Sequence, residues 1–492
     1  MDYKKINTLG DLKKSKYSDR SVKQELRDNL VEKLKKGEKV FEGIIGFDHT
    51  VIPDIQRAIL SSHNILLLGL RGQAKTRIAR LLTQLLDEYI PIIQGSELND
   101  NPFNPLSRNA KDILKEHGDK TPIKWIHRDE RYVEKLATPD VSVADLIGDV
   151  DPIKAATLKL PYSDERVIHF GLVPRANKSI FVINELPDLQ PRIQVSLFNI
   201  LQEGDIQIRG FKLRMPLDMV FIFTANPEDY TNRGSIITPL KDRIESQILT
   251  HYPVTTDIAK EITRQEAKLS ENQTANVKVS EMTRDILEKV VFNARTSEYI
   301  DEKSGVSARM SISALENLVS SAERRALING DKNTGIRITD FWGVIPAITG
   351  KAELVYEGEQ EGPHNVAMYL IQDALEETFD LYFPNPDKQN EKSDAYEVLR
   401  LWFSSNHSIT LGADDSDKEY QKKLNSVPGL KNLAKEYSEN KDDQYFMMEL
   451  LLNGLAAKEV INFDLSNQTS EFRDILSDNL NDLTDFSGDI FN

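Results

Sequence analysis

The stretch Gly69-Leu70-Arg71-Gly72-Gln73-Ala74-Lys75-Thr76 carries glycine, lysine and threonine at the spacing G-x-x-x-x-G-K-[ST], with Ala74 where the last glycine would stand. A loop of this composition turns successive backbone N–H groups toward one point, which suits a phosphate. Gly69, Gly72, Gln73 and Ala74 supply the cradle, Lys75 would reach the β- and γ-phosphates of a nucleoside triphosphate, and the Thr76 hydroxyl would hold Mg²⁺. The bland alternative is a glycine-containing turn with an incidental lysine. Against it, Ile65–Leu68 is an unbroken apolar run, as in a strand buried on both faces of a parallel sheet, and a helical pattern covers Thr76–Leu86.

Two further strands would deliver polar groups to the same edge. Lys178–Leu186 reads KSIFVINEL, a buried strand ending in Asn184 and Glu185. A carboxylate at the carboxyl end of such a strand lies where ligands bind in an open α/β sheet, and Glu185 is the natural base for an attacking water. Met219–Thr224 is another core strand and presents Ala225-Asn226-Pro227-Glu228. Asn226 can hydrogen-bond a γ-phosphate or orient the water; an ordinary Asn-Pro turn is the alternative. Upstream, Gly43-Ile44-Ile45-Gly46 could line a nucleotide base with Ile44 and Ile45, or simply turn between two helices.

The elements that must position these groups are legible to different degrees. Leu26, Leu30 and Leu34 recur every four residues within an amphipathic helix over 21–36, and Ile52, Ile55 and Ile59 mark another. Residues 91–124 hold Pro91, Pro102, Pro105 and Pro122 and read as irregular, ending in a strand-like Ile123–Ile126. The segment from Ala137 to Asp149 exceeds a plain connection and reads as an insertion. Ile206–Met215 alternates around Gly210, as a β-hairpin does. Residues 256–350 are helical in pattern, with a long helix opening at Ser307-Ala308-Arg309-Met310 and running to Ile328. The polar EGEQEGP at 357–363 reads as a linker. An acidic, mostly helical stretch follows it, with its clearest apolar segments at Ile371–Phe379 and Tyr445–Leu455.

Composition narrows the classes. No apolar run approaches the ~18–20 residues of a membrane span, and MDYKKINTLGDLKK lacks the apolar core of a secretory signal. The absence of cysteine excludes disulfides and thiolate metal sites and suits a cytoplasmic protein. The eight histidines show no HxxxH spacing, which argues against a dedicated zinc site. A net charge of −16 argues against wrapping nucleic acid.

Taken in order, these stretches resemble the AAA+ ATPases, in the branch of magnesium chelatase motor subunits and MoxR proteins. GLRGQAKT looks like the MoxR form of the Walker A loop. ATPDVSVADLIGDVD is similar to the chelatase helix-2 insertion, and Phe170–Asn177 to the segment before Walker B. The Ile206–Met215 hairpin resembles the one preceding sensor 1, and FTANPED resembles sensor 1 itself. The resemblance spans roughly residues 40–345. It implies an α/β P-loop core, a parallel sheet between helices, with helix-2 insertion and pre-sensor-1 hairpin, then a helical lid. The expected divisions are a helical segment at 1–40, the nucleotide-binding domain at 41–250, the lid at 251–356 and an acidic helical region at 364–492.

Carried over residue by residue, the resemblance implies ATP and Mg²⁺ as cofactors, Lys75 and Thr76 on phosphate and metal, Glu185 activating water and Asn226 as sensor 1. Arg243, in LKDRI, would be an arginine finger reaching a neighbouring subunit's site, with Arg233 in reserve, and Arg309 would be sensor 2. A surface salt bridge is the ordinary alternative for each arginine. A finger supplied to a neighbour implies a homo-oligomeric ring, expected to be a hexamer. The resemblance also implies a partner protein bearing a von Willebrand factor A domain; no DxSxS motif of that domain occurs here.

One departure stands out. Walker B usually reads Asp-Glu, and here it is Asn184-Glu185. Asn184 keeps the acceptor oxygen of a metal-positioning Asp and loses its charge. Reduced Mg²⁺ affinity or turnover is expected, with hydrolysis retained; a nucleotide-gated scaffold with little hydrolysis is the rival. A magnesium or cobalt chelatase motor is a third reading. A sigma-factor activator lacks its GAFTGA loop here, and Arg209, Lys212 and Arg214 give a DNA-translocating hairpin only slight basic character.

Overall fold

A computed structural model describes residues 3–15, 17–162, 164–206, 208, 215–227, 235–386, 394–437, 443–466 and 469–475. The chain forms two compact units, Met1–Tyr252 and Pro253–Asn492.

The first unit is built on a five-stranded sheet. Its strands are β1 (Ile65–Leu68), β2 (Tyr132–Leu136), β3 (Ser179–Asn184), β4 (Met219–Ala225) and β5 (Ser246–Leu249), in spatial order β5-β1-β4-β3-β2. Every neighbouring pair is parallel. The apolar runs explain this. All residues of β1, β3 and β4 are buried, because both faces of the sheet are covered. Alternate side chains feed two cores. Leu66, Phe181, Ile183, Phe221 and Phe223 face one of them. Leu67, Ile180, Val182 and Ile222 face the other, shared with α1 (Val22–Lys36), α2 (Val51–Leu60) and α3 (Lys75–Leu81) through Leu30, Ile55 and Ile78. This is a parallel sheet between helices, as expected of an α/β P-loop core, and all its carboxyl strand ends lie at one edge.

The excursions from the sheet differ in part from the expectation. The proline-rich 91–124 stretch is irregular over 94–107, as expected, but ordered on either side of it. Tyr89–Ile93 pairs antiparallel with Ile123–His127, opposing Pro91 to Trp125, and helix α4 (Arg108–His117) lies between them. The organiser is Asp100, fully buried, whose carboxylate accepts from the Leu106 and Ser107 amides and from Ser107 Oγ at 2.6 Å. A buried carboxylate met by several donors fixes a loop that its prolines alone would not. Between β2 and β3 the insertion carries α5 (Pro152–Leu158) and an antiparallel pair, Gly148–Val150 with Ile168–Phe170. Gly148 has φ +119°, and a Cβ there would stand 2.4 Å from the His169 carbonyl oxygen. The hairpin before β4 is seen at its base, where Asp205–Ile206 pairs antiparallel with Met215–Pro216. Residues 207 and 209–214, with Arg209, Lys212 and Arg214, lie outside the described residues, as do Glu228 and Arg233.

In the second unit α6 (Glu281–Thr296), α7 (Arg309–Asn329), α8 (Pro363–Tyr382) and α9 (Gln444–Ala457) share one buried cluster running from Val277 to Phe472. Residues on both sides of 357–363 therefore build the same core. The EGEQEGP stretch is helical over Tyr356–Glu361, and Pro363 opens α8. Gly358 permits this, since a Cβ there would lie 2.3 Å from the Tyr299 carbonyl oxygen. A three-stranded antiparallel sheet, Ile409–Gly412, Thr469–Arg473 and Asn462–Ser466, stands where the sequence reads as helical. Buried polar groups stitch the two stretches. Arg325 pairs with Asp340 at 2.9 Å and Asp417 at 3.0 Å. Glu449, on α9, accepts from the Ile338 and Thr339 amides at 2.9 and 3.0 Å and from the Tyr420 hydroxyl at 2.6 Å. Among the described residues no helix is long and apolar enough to cross a membrane.

Burial pushes the Glu449 carboxyl up to about 7, against the pull of those donors. From the ordinary carboxylate range up to about pH 7 the folded unit keeps a proton that the unfolded chain has released. This group's contribution is full at low pH and is lost as pH rises through that window. In urea denaturation at a series of pH values from 4 to 8, the transition midpoint of Glu449→Gln is expected to fall less with rising pH than that of the wild type. Parallel profiles would contradict this.

Candidate nucleotide site

The phosphate loop leaves β1 at Gly69, whose amide donates to the Ala225 carbonyl at 3.1 Å and so ties the loop to the end of β4. The glycine is required by contact: a Cβ there would lie 2.0 Å from Thr250 Oγ1 and 2.2 Å from Gln73 Oε1. The backbone is left-handed at Gly72 (φ +75°) and at Ala74 (φ +57°). The second value explains why a glycine would be at home at position 74, and Ala74 holds the same turn under some strain. Helix α3 begins at the next residue.

Lys75 is only 8% exposed, and its ammonium donates to Leu70 O at 2.9 Å, to Asn226 Oδ1 at 3.2 Å and to Gly69 O. Two of the sequence candidates, from α3 and β4, are thus in direct contact, and neutral oxygens fold the lysine over the loop. Thr76 is exposed at the first turn of α3. Its hydroxyl is accessible to an ion brought in with a phosphate.

The end of β3 supplies the other wall. Asn184 is 8% exposed; its Oδ1 accepts from Thr224 Oγ1 at 3.1 Å and its Nδ2 donates to Glu134 Oε1 on β2. The same Thr224 oxygen accepts from the Glu185 amide at 3.2 Å. Glu185 itself is partly buried and has φ +54°, a strained conformation for a non-glycine residue. Lys75, Asn226, Asn184 and Glu185 are therefore joined through adjacent strands β4 and β3.

Other candidates are placed differently. Arg243 bonds Gln202 Oε1 at 3.1 Å and Pro239 O at 2.7 Å and lies over the Phe198 ring, so within its own chain it does not bond the loop. Arg309 is exposed at the start of α7, in the second unit. Ile44 is buried in the core beneath α2 and α3, while Ile45 is half-exposed in a turn framed by Gly43 and Gly46, both at φ +81°.

Sequence reasoning missed the residues that clasp the loop. Thr250 follows β5; its amide donates to Leu68 O at 2.8 Å and its hydroxyl to Gln73 Oε1 at 2.7 Å. Tyr252 donates its hydroxyl to Arg71 O at 3.0 Å. His251 lies between them, bonded to Thr50 Oγ1 at 2.8 Å and packed on Phe47. The one available signal was their position directly after an edge strand of the same sheet.

The donor set fits a cation carried by phosphates. Among the described residues no group of three or more His, Asp or Glu is placed to hold a metal by itself. Thr76 with Asn184 and Glu185 would complete a shell that phosphate oxygens and water begin.

No protein-family model matches the chain. Among solved structures the chain is similar to the BchI–BchD complex of magnesium chelatase, with 18% identity, 65% of this chain and 98% of that one covered, and a TM-score of 0.33. It is also similar to NtrX from Brucella abortus, with 13% identity, coverage of 73% and 68%, and a TM-score of 0.37. A third similarity is to Hsp104 with ATPγS and casein, at 15% identity, coverage of 63% and 50%, and a TM-score of 0.37. Scores of this size do not decide the fold; the strand order and the loop geometry above do.

Thr250→Val removes one hydrogen bond from the clasp, worth about 1 kcal/mol. A roughly fivefold loss of ATP affinity is expected with little change in melting temperature. Unchanged affinity would show that the clasp does not hold the loop.

Proposed function

We propose that this chain is a ring-forming AAA+ ATPase of the chelatase/MoxR type, coupling hydrolysis of ATP with Mg²⁺ to the remodelling or activation of a partner protein. The observation that carries this reading is the convergence of the buried Lys75 ammonium, the left-handed Gly72–Ala74 loop and Asn226 at one strand edge. Lys75 would bind the β- and γ-phosphates and Thr76 the metal, while Asn184 would position the metal's water. Glu185 would take a proton from the attacking water, and Asn226 would orient that water toward the γ-phosphorus. Mg²⁺, when bound, supplies positive charge against the charge developing on the phosphoryl oxygens.

Arg243 supports the ring. It sits at the surface, held by Gln202 and Pro239, as a finger offered to a neighbouring subunit would be. Such a finger is worth about 10³–10⁵ in rate where it has been measured. Arg309 would report nucleotide state from the helical lid at 251–356, and Ile44 and Ile45 would line the base. The partner is proposed to carry a von Willebrand factor A domain, and the acidic region at 364–492 is available to dock it. A cytoplasmic location fits the lack of cysteine. A second reading, a nucleotide-binding scaffold with little hydrolysis, is favoured by the uncharged Asn184; a magnesium or cobalt chelatase motor would use the same site.

ATP hydrolysis followed across a protein concentration series tests the proposal. Specific activity is expected to rise with concentration as rings assemble, and to fall by roughly 10²–10⁴ in Glu185→Gln. Arg243→Ala should lose activity while still binding ATP. Activity independent of concentration would count against the shared site. Wild-type turnover no higher than that of Glu185→Gln would instead identify a scaffold.

A further inference from the structure

The uncharged end of β3 is not left without a carboxylate. Glu134, on β2, is two residues short of the register partner of Asn184, and it lies on the same face of the sheet. Its Oε1 accepts from Asn184 Nδ2, and its Oε2 accepts from Arg80 at 3.0 Å. Arg80 follows Thr76 by four residues on α3, so the two side chains share one helix face, roughly 6 Å apart along the axis. Three elements thus meet at Glu134, which touches Asn184, one of the positions that face the metal in the reading above, and Arg80, one helical turn beyond the other, Thr76. Asn184 is fixed at both ends, by Thr224 at 3.1 Å on one side and Glu134 on the other. Its amide is thereby turned so that its N–H, a donor, points at the carboxylate. Arg80 is largely exposed and also lies over the Tyr132 ring at 5.6 Å. The Glu134 side chain is one-quarter exposed.

We propose that Glu134 supplies the negative charge that Asn184 lacks: it is a positioning residue, set by Asn184, whose carboxylate accepts from the water shell of the nucleotide's divalent cation. The acid lies on the strand neighbouring β3 rather than at the end of β3 itself. Arg80 is its counter-ion and competes with the cation for it. The inference rests on the nucleotide-site reading and deepens it by assigning the residue that tunes metal affinity.

Mn²⁺ is the probe. Its affinity for the full-length chain loaded with a non-hydrolysable ATP analogue is measured by electron paramagnetic resonance, and the analogue's own affinity is measured separately in EDTA. Glu134→Gln is expected to weaken Mn²⁺ binding about tenfold, the scale of an outer-shell ligand, without weakening the analogue in EDTA. Adding Asn184→Asp to Glu134→Gln should restore Mn²⁺ affinity, and by a larger factor than Asn184→Asp tightens it with Glu134 present; equal gains in the two backgrounds would mark a merely structural role for Glu134. Arg80→Ala, on an exposed face where folding is not at stake, should tighten Mn²⁺ binding. Unchanged Mn²⁺ affinity in Glu134→Gln or in Arg80→Ala, or no restoration by Asn184→Asp, overturns the proposal. Failure of the wild type to bind the analogue even in EDTA would overturn the nucleotide-site reading first, and this inference with it.

Discussion

An ammonium group held almost out of water at the edge of a parallel sheet is the constraint on which the first unit depends. Burying such a charge is costly unless fixed dipoles or an anion meet it. Here the carbonyls of Gly69 and Leu70 and the side chain of Asn226 meet it, so the loop, the helix after it and strand β4 must all keep their places. The two-sided burial of β1, β3 and β4 keeps those strands in place. Loop residues alone would not hold this geometry, and the sheet makes it rigid. An incoming triphosphate would replace neutral oxygens with charged ones around a lysine already in position, which is preorganisation of the binding site.

Charge near that lysine is distributed in an unusual way. β3 ends in a neutral Asn184 and a strained Glu185, and the neighbouring β2 provides a carboxylate bonded to the asparagine. Binding and hydrolysis of a nucleotide ask different things of this wall. In the proposed reading, binding would draw on the loop and Lys75. Hydrolysis would need Glu185 on a water and a cation held against the phosphates. A carboxylate on β2 rather than at the end of β3 would leave the first requirement untouched and alter the second. Both the motor and the scaffold reading therefore share one fold and part ways at Asn184.

Much of this was legible because it is written in contiguous residues. The loop spacing, the apolar runs of three strands and the polar residues at their ends fix the sheet edge and four of its groups from local pattern. What escaped reading depends on pairing across the sequence. Thr250 and Tyr252 clasp the loop from some 180 residues away, and nothing in their own neighbourhood marks them. Glu134 lies 50 residues before Asn184 on a strand whose side chains are only partly buried, so its pattern is weak. The proline-rich 91–124 stretch misled in part because its order comes from one buried carboxylate, Asp100. The EGEQEGP stretch misled because Gly358, a residue that ordinarily marks a break, allows a close helix contact with Tyr299.

The most direct test is an equilibrium titration of the intact chain with ATP, wild type against Lys75→Ala. The result expected is saturable binding of one nucleotide per chain, weakened roughly tenfold to a hundredfold by the substitution, the scale of losing a hydrogen-bonded charge. Absence of binding, or equal affinity in the two proteins, would contradict the assignment of this sheet edge as a nucleotide site.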